Sequence, residues 1–345
     1  MTPRITPRGP VSEALQEAFR DDAEPGRPAM TRVVELVRVA LAAGSDLLAD
    51  DDLQLTLFML YGLSYGDTVD AHDEWEWNPE VVLARRLIER RFEEQLRARI
   101  PLDDLPEPDA EAVAAYLFAL TEDDGGPSLS RFIAKKATRE QLLEFVIQRS
   151  IYTRKEADPH SWAIPRLTGR AKAALVEVQS DEYGAGRPHR IHAEIFGRTM
   201  RGLGLDDSYG AYVDDVPAIT LASFTMMSMF GLNRALRGAI AGHLAAFEMT
   251  SSIPNRFYGN GFRRLGFDED VTEYYDEHVE ADAVHEQIAG RDLAGGLAEQ
   301  HAELLEDIVF GAKACLYVDG LAGQHMLDSW QAGRSSLRAR EAVPA

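Results

Sequence analysis

Val271-Thr-Glu-Tyr-Tyr-Asp-Glu-His278-Val-Glu-Ala-Asp282-Ala-Val-His285 places three ligand-type side chains on one helix at His-x3-Asp-x2-His spacing. At about 100° per residue they sit at about 0°, 40° and −20°, so all three project from one narrow face. Imidazole and carboxylate without thiolate suit a hard or borderline metal ion. The flanking Asp276, Glu277 and Glu280 fit a solvated polar face equally well. What separates the two readings is whether other helices bring matching carboxylates to the same point.

Candidates exist. Glu156 closes a helix in Lys155-Glu156-Ala157-Asp158, Glu182 and His192 bracket Glu182-Tyr-Gly-Ala-Gly-Arg-Pro-His-Arg-Ile-His192, and Glu248 sits in the apolar run Leu244-Ala-Ala-Phe-Glu248. Taken singly each glutamate reads as a surface residue. A carboxylate among apolar neighbours is nevertheless costly to bury unless it is paired or coordinated. Together with the helical triad the set suits two iron or manganese ions between helices, whereas one closed zinc site needs only four ligands. On a straight helix His189 would face the same way as Glu182, with His192 about 80° off. Gly184, Gly186 and Pro188 interrupt that helix and offer a way to turn His192 into line.

Outward from these motifs, long 3.6-period segments dominate and no hairpin signal appears, so the 345-residue chain reads as nearly all helical. Residues 1–28 read as an arm, followed by helices over Met30–Leu48, Leu53–Leu63, Val81–Ile100 and Glu111–Leu120, with Trp75 and Trp77 in an acidic loop. Thr121–Ser128 has linker composition. Thr138 with Gln141 forms a capping box for a helix ending near Ala157, and further helices are expected over Arg170–Thr199, Ala218–Thr250, from Asp270 (capped with Glu273) to Gly290, and Ala294–Tyr317. Ser251–Phe267, with Asn260-Gly261, reads as a loop.

A net charge of −21 disfavours nucleic acid as a partner. The single cysteine, Cys315, excludes an internal disulfide and a thiolate cage and points to a reducing compartment. Met1–Pro10 lacks the apolar core of a signal peptide, and Ala218–Leu232 is too short and too rich in hydroxyls to span a membrane. A cytoplasmic protein without membrane partners is expected. Met226, Met227 and Met229 read as core.

These residues resemble the haem-oxygenase-like diiron oxidases, and within them the N-oxygenating branch. The resemblance covers Arg131–Leu327 and rests on Lys155-Glu156-Ala157-Asp158-Pro159-His160, Asp181-Glu182-Tyr183-Gly184-x-Gly186, His192-x-x-Ile195-Phe196 and His278-x3-Asp282-x2-His285. It implies an all-α, haem-oxygenase-like helical bundle with an N-terminal helical extension: a flexible arm over 1–28, a helical dimerisation region over 29–124, a diiron core over 125–335 and a tail over 336–345. It also implies that Glu156, His192 and His285 hold one iron, that Glu182, His278 and Asp282 hold the other, and that Glu248 is a mobile carboxylate. His192 is thereby preferred to His189, and His160, Tyr183 and Tyr275 are left to orient ligands or to pack.

The activity so implied is O2-dependent oxidation of an amino or guanidino nitrogen of a small amine. It requires two Fe2+ ions, O2 as co-substrate and an external two-electron donor, in a homodimer. Too few residues follow Trp330 for the cupin domain that carries N–N bond formation in that branch. Products are therefore expected to stop at N-hydroxy, nitroso or nitro compounds. The same metal site serves relatives that desaturate, cleave C–C bonds or oxidatively decarboxylate amino or fatty acids. A non-enzymatic iron-storage or partner-binding protein is the remaining class.

Overall fold

Among the described residues every regular element is helical. The structure, a computed structural model, describes residues 5–20, 27–66, 68–122 and 128–339, except for the side chains of 27, 28 and 280–283. In chain order the helices are α1 Pro10–Arg20, α2 Arg27–Ala42, α3 Asp51–Gly62, α4 Pro79–Arg99, α5 Ala110–Thr121, α6 Leu129–Lys135, α7 Arg139–Thr153 and α8 Asp158–Ser161. There follow α9 Gly169–Glu182, α10 His192–Gly202, α11 Ala218–Leu232, α12 Arg237–Met249, α13 Ser252–Arg264, α14 Glu269–Gln287, α15 Gly296–Gln300 and α16 Leu305–Gln331. A π-helical stretch, Ile288–Gly295, joins α14 to α15. Two compact units result: residues to Arg99 with Ser208–Met226 and the chain from Leu337, and Ile100–Asp207 with Met227–Ser336. The expected linker at Thr121–Ser128 is not where they divide, and 123–127 lie outside the described residues.

In the first unit the expected arm over 1–28 contains a packed helix. Val11, Leu15 and Phe19 of α1 are buried, and Asp52 on α3 accepts from the Val11 and Ser12 N–H groups at 2.9 and 2.8 Å. That cap comes from forty residues away, so no local signal announces it. Trp75 lies buried in a short 3-10 turn, Asp73–Trp77, where a loop was expected, while Trp77 is exposed.

In the second unit the Thr138/Gln141 capping box opens α7 as expected. α12 and α16 touch backbone to backbone: a Cβ on Gly242 would lie 1.8 Å from the Ile308 carbonyl oxygen, and one on Gly311 1.9 Å from that of Ala239. The helix expected over Ala218–Thr250 is broken at Asn233, whose backbone is extended, into α11 and α12. Ser251–Phe267, expected as a loop, contains α13, with Tyr258 and Phe262 buried. α14 is capped by Asp268, which accepts from Val271 N–H at 3.3 Å, so Asp270 falls inside the first turn instead of capping it. The final helix begins at Leu305 and runs to Gln331, past the expected end at Tyr317. Ser336 is tied back, its N–H and hydroxyl donating to Glu144 Oε2 at 2.8 and 2.7 Å.

Met226, Met227 and Met229 are buried, as is most of α11. No described helix is long and apolar enough to cross a membrane.

Gly242→Ala is expected to cost about 3 kcal/mol or more, because the new methyl meets backbone that cannot swing aside. Gly320→Ala on α16, with nothing within 4 Å of the new Cβ, should be neutral or stabilising by up to about 1 kcal/mol. Urea unfolding of the two variants checks the contrast, and equal effects would refute the close helix contact.

Candidate metal centre

α9 stops at Glu182 because the next residues leave helical space: Gly184, Ala185 and Gly186 have φ of +66°, +50° and +76°. A Cβ at Gly184 would fall 2.6 Å from the Arg190 carbonyl carbon, so only glycine allows the chain to fold back there. After a 3-10 turn at Pro188–Arg190, α10 starts at His192. The expected bent helix is thus two helices with a tight connection. That connection brings His192 Nδ1 to 3.1 Å from Glu182 Oε1. His189 is exposed, so of the two histidines it is His192 that stands beside Glu182.

Glu156 lies in the turn after α7 instead of closing the helix, and it is buried. His160 Nδ1 donates to the Glu156 backbone oxygen at 3.0 Å and the His160 Nε2 meets His243 Nδ1 at 3.2 Å, so a buried imidazole pair pins that turn. Glu248 is buried on α12. On α14, His278 and His285 turn inward and are buried, whereas Asp276 is exposed and Glu277 pairs with Arg190 at 2.6 Å. The helix therefore carries both faces that its sequence allowed, with the histidines on the dry one. Asp282 lies between them on the helix, and its side chain is outside the described residues.

Two groups of ligand atoms converge. Glu156, Glu182, His192 and His278 each bring one atom within 4.8 Å of the others, and Glu182, Glu248 and His285 do the same. Glu182 belongs to both. The resemblance implies another grouping, with His285 beside Glu156 and His192, and His278 beside Asp282. In the structure His285 Nδ1 stands 3.4 Å from Glu248 Oε2, while the His278 and His192 rings are 4.5 Å apart.

Two residues that were not singled out as ligands orient them, Tyr274 and Asp181. Tyr274 donates its hydroxyl to Glu156 Oε2 at 2.8 Å, and its backbone oxygen accepts from His278 Nδ1 at 2.7 Å, leaving Nε2 free to bind. Asp181 accepts from His285 Nε2 at 3.0 Å, which leaves Nδ1 facing Glu248. Such carboxylate and carbonyl partners fix which nitrogen of a metal-binding imidazole is free. Tyr274 was within reach of sequence reasoning, since it sits one turn before His278. Of the residues expected to orient or pack, Tyr183 hydrogen-bonds Asp158 and Ser161, and Tyr275 stacks on Phe262.

Burial and the charge of Glu182 push Glu156 well above the usual carboxylate range, and burial also raises Glu248. Burial pushes Glu182 the same way, but His192, His278 and His285 together hold it down to about 2. Against the cost of burial, Glu182 lifts His192 to about 9 and Glu248 lifts His285 to about 9. Burial and the neighbouring His192 lower His278 to about 4.

Glu156 Oε1, Glu182 Oε2, His192 Nδ1 and His285 Nδ1 are all buried without a hydrogen-bond partner. A polar atom in that state costs free energy, and four in one cluster of carboxylates and imidazoles are satisfied together by a cation. The residues present therefore fit a metal.

Residues 143–320, just over half of the chain, match the iron-containing redox enzymes, a haem-oxygenase-like family. The chain belongs to this family. It is also similar to nitrosourea synthase of Streptomyces achromogenes subsp. streptozoticus, with 25% identity over 206 residues. The match covers 59% of this chain and 44% of that protein, so the chain spans less than half of the relative's length. As a member of the iron-containing redox enzymes the protein is an oxidoreductase, and its buried Glu/His cluster has the donor set of an iron site.

Because His192 and His285 keep their protons up to about pH 9 and Glu156 and Glu248 are also raised, iron(II) has to displace protons, with release of at least roughly two per loaded chain near neutrality. Apparent affinity should rise with pH through neutrality and level off above the imidazole pKa values. Calorimetry in buffers of different ionisation enthalpy measures the release; an isotherm indifferent to pH would place the iron elsewhere.

Proposed function

We propose that the protein is a non-haem diiron N-oxygenase acting on a small amine, with O2 as co-substrate and an external two-electron donor. The observation that carries the diiron reading is the sharing of Glu182 by two buried ligand groups. In this reading Glu156, His192 and His278 would hold one ion, Glu248 and His285 the other, and Glu182 both. By the resemblance Asp282 of α14 would be a further ligand. Bound iron supplies the activation of dioxygen and the redox equivalents. Similarity to nitrosourea synthase supports nitrogen as the atom oxidised.

The balanced first step is R–NH2 + O2 + 2e− + 2H+ → R–NHOH + H2O, and deeper oxidation repeats the same demand for electrons. What the chain itself contributes is orientation and dryness. Tyr274 and Asp181 hold Glu156 and His285. Phe196 packs edge-on to Tyr274 with ring centroids 4.9 Å apart. A neutral amine presents a lone pair, so attack at nitrogen needs placement within reach and no C–H cleavage.

His278→Ala should lose about one of two iron equivalents and at least about a hundredfold in turnover while helical content stays, since no large apolar cavity is created. Iron analysis and circular dichroism on the purified variant test this; full iron with full turnover would remove His278 from the centre. Deuterium on the carbon next to the reacting nitrogen should leave the single-turnover rate unchanged and the product N-oxidised. A large isotope effect with no N-oxidised product would instead establish C–H cleavage on this centre.

A further inference from the structure

Two buried histidines lie outside both ligand groups. His160 on α8 and His243 on α12 are 2% and 1% exposed, with ring centroids 5.3 Å apart. A carbonyl oxygen can only accept, so His160 Nδ1 carries the proton of its 3.0 Å bond to the Glu156 backbone. Burial lowers His160 to about 4 and takes His243 well below the ordinary imidazole range, so both rings are neutral near neutrality. His160 Nε2 is then an acceptor, and the proton of the 3.2 Å bond between the rings sits on His243 Nδ1. The hydrogen-bond chain has one direction, from His243 through His160 to the turn that carries Glu156.

Its two ends belong to different ligand groups. Glu156 stands with His192 and His278, whereas His243 shares α12 with Glu248, which stands with His285. Close packing holds each end in place. A Cβ on Gly231 of α11 would fall 2.1 Å from the Pro159 carbonyl oxygen, so α8 lies directly on α11. His243 stacks on Phe247 at 6.1 Å and meets Phe230 edge-on at 6.3 Å. An aromatic hydrocarbon would serve those ring contacts without the cost of burying polar nitrogen. The imidazoles are there for their hydrogen bonds, and what those bonds tie together is the Glu156 turn and α12.

We propose that His160 and His243 are positioning residues for iron, holding Glu156 at a fixed reach from α12 so that its carboxylate meets His192 and His278. The effect is selective. Cutting the hydrogen-bond chain frees the Glu156 turn and weakens the ion held there, while the group formed by Glu248 on α12 and His285 on α14 keeps its own supports. The proposal rests on the diiron reading only in assigning the effect to one of two ions.

The test is anaerobic iron(II) titration of the full chain by calorimetry, with urea unfolding of the metal-free forms beside it. His243→Phe keeps a ring between Phe230 and Phe247 but loses the Nδ1 donor. His243→Asn loses the ring and returns an amide N–H near the position of Nδ1. His243→Phe should weaken one ion by at least about tenfold and the other by less than about threefold. His243→Asn should stay within about threefold of the unaltered chain for both ions, although it unfolds at lower urea than His243→Phe. A role in packing alone predicts the opposite order, with affinity following stability. In a His285→Ala background, which leaves the Glu156 group, the loss caused by His243→Phe should persist, and in a His278→Ala background it should vanish. Should His243→Phe not fold, His160→Asn carries the same expectation, since it keeps an N–H for the Glu156 carbonyl and gives up the bond to His243. Unchanged iron affinity in His243→Phe, equal losses at both ions, or no recovery in His243→Asn overturns the proposal. Uptake of a single iron by the unaltered chain, weakened by His243→Phe and restored by His243→Asn, would keep the positioning pair and overturn the diiron reading. Two irons indifferent to His243 would do the reverse.

Discussion

Three carboxylates are buried in one place, and the second unit is organised around meeting that cost. Two unit charges 4 Å apart repel by about 4 kcal/mol even at an effective dielectric near 20, and Glu182 has both Glu156 and Glu248 as neighbours. Three imidazoles answer part of it, holding Glu182 ionised while the other two carboxyls are driven toward the protonated form. A divalent ion does the same work with fewer protons. It places two positive charges among four buried ligand atoms that make no hydrogen bond. The family's iron is therefore an electrostatic requirement of this interior as much as a reagent.

The ligands are recruited largely from the ends of helices. Glu182 is the last residue of α9 and His192 the first of α10. Each stands at the terminus that disfavours its own charge, a carboxylate at the negative end and an imidazole at the positive end. Neither placement serves stability. The negative end of α9 favours a cation held at Glu182, and the positive end of α10 works against the proton that His192 must lose to bind a metal. The cost is met elsewhere, by the α12 and α16 contact that seats Glu248 and by the aromatic packing of α14 on α10 and α13.

The periodic part of this design was legible in the sequence. His278 and His285 share a face because spacing alone puts them there, Thr138 caps α7 because its partner is three residues away, and the apolar run of α11 is buried. Long-range effects were not legible. Asp52 makes a helix of what composition describes as an arm, and Asn260-Gly261 sits inside α13 because burial of Tyr258 and Phe262 outweighs a local turn preference. The sharp reversal at Gly184 is a middle case. Its glycines signal a break, but only coordinates show that the break rotates His192 and not His189 toward Glu182. His243 carried no signal at all, since a lone histidine in an apolar run is ordinary until a second buried imidazole stands 3.2 Å from it.

The cluster also has two unlike approaches. His192 lines a polar cleft with Asp181, Arg187, Arg190 and Glu277, whereas Tyr274 lines an aromatic cavity with Phe145, Tyr152 and Tyr258. Only rings separate them, since His278 lies 4.5 Å from His192 and 4.2 Å from Tyr274 between ring centroids. The cleft is bounded by the connection at 184–190, where three consecutive residues hold positive φ, while the cavity is walled by full helices. A change in that connection re-aims His192 without moving α7 or α16. The geometry of the polar side is thus adjustable independently of the shape of the aromatic cavity on the other, and Tyr274 and His278 stand between the two.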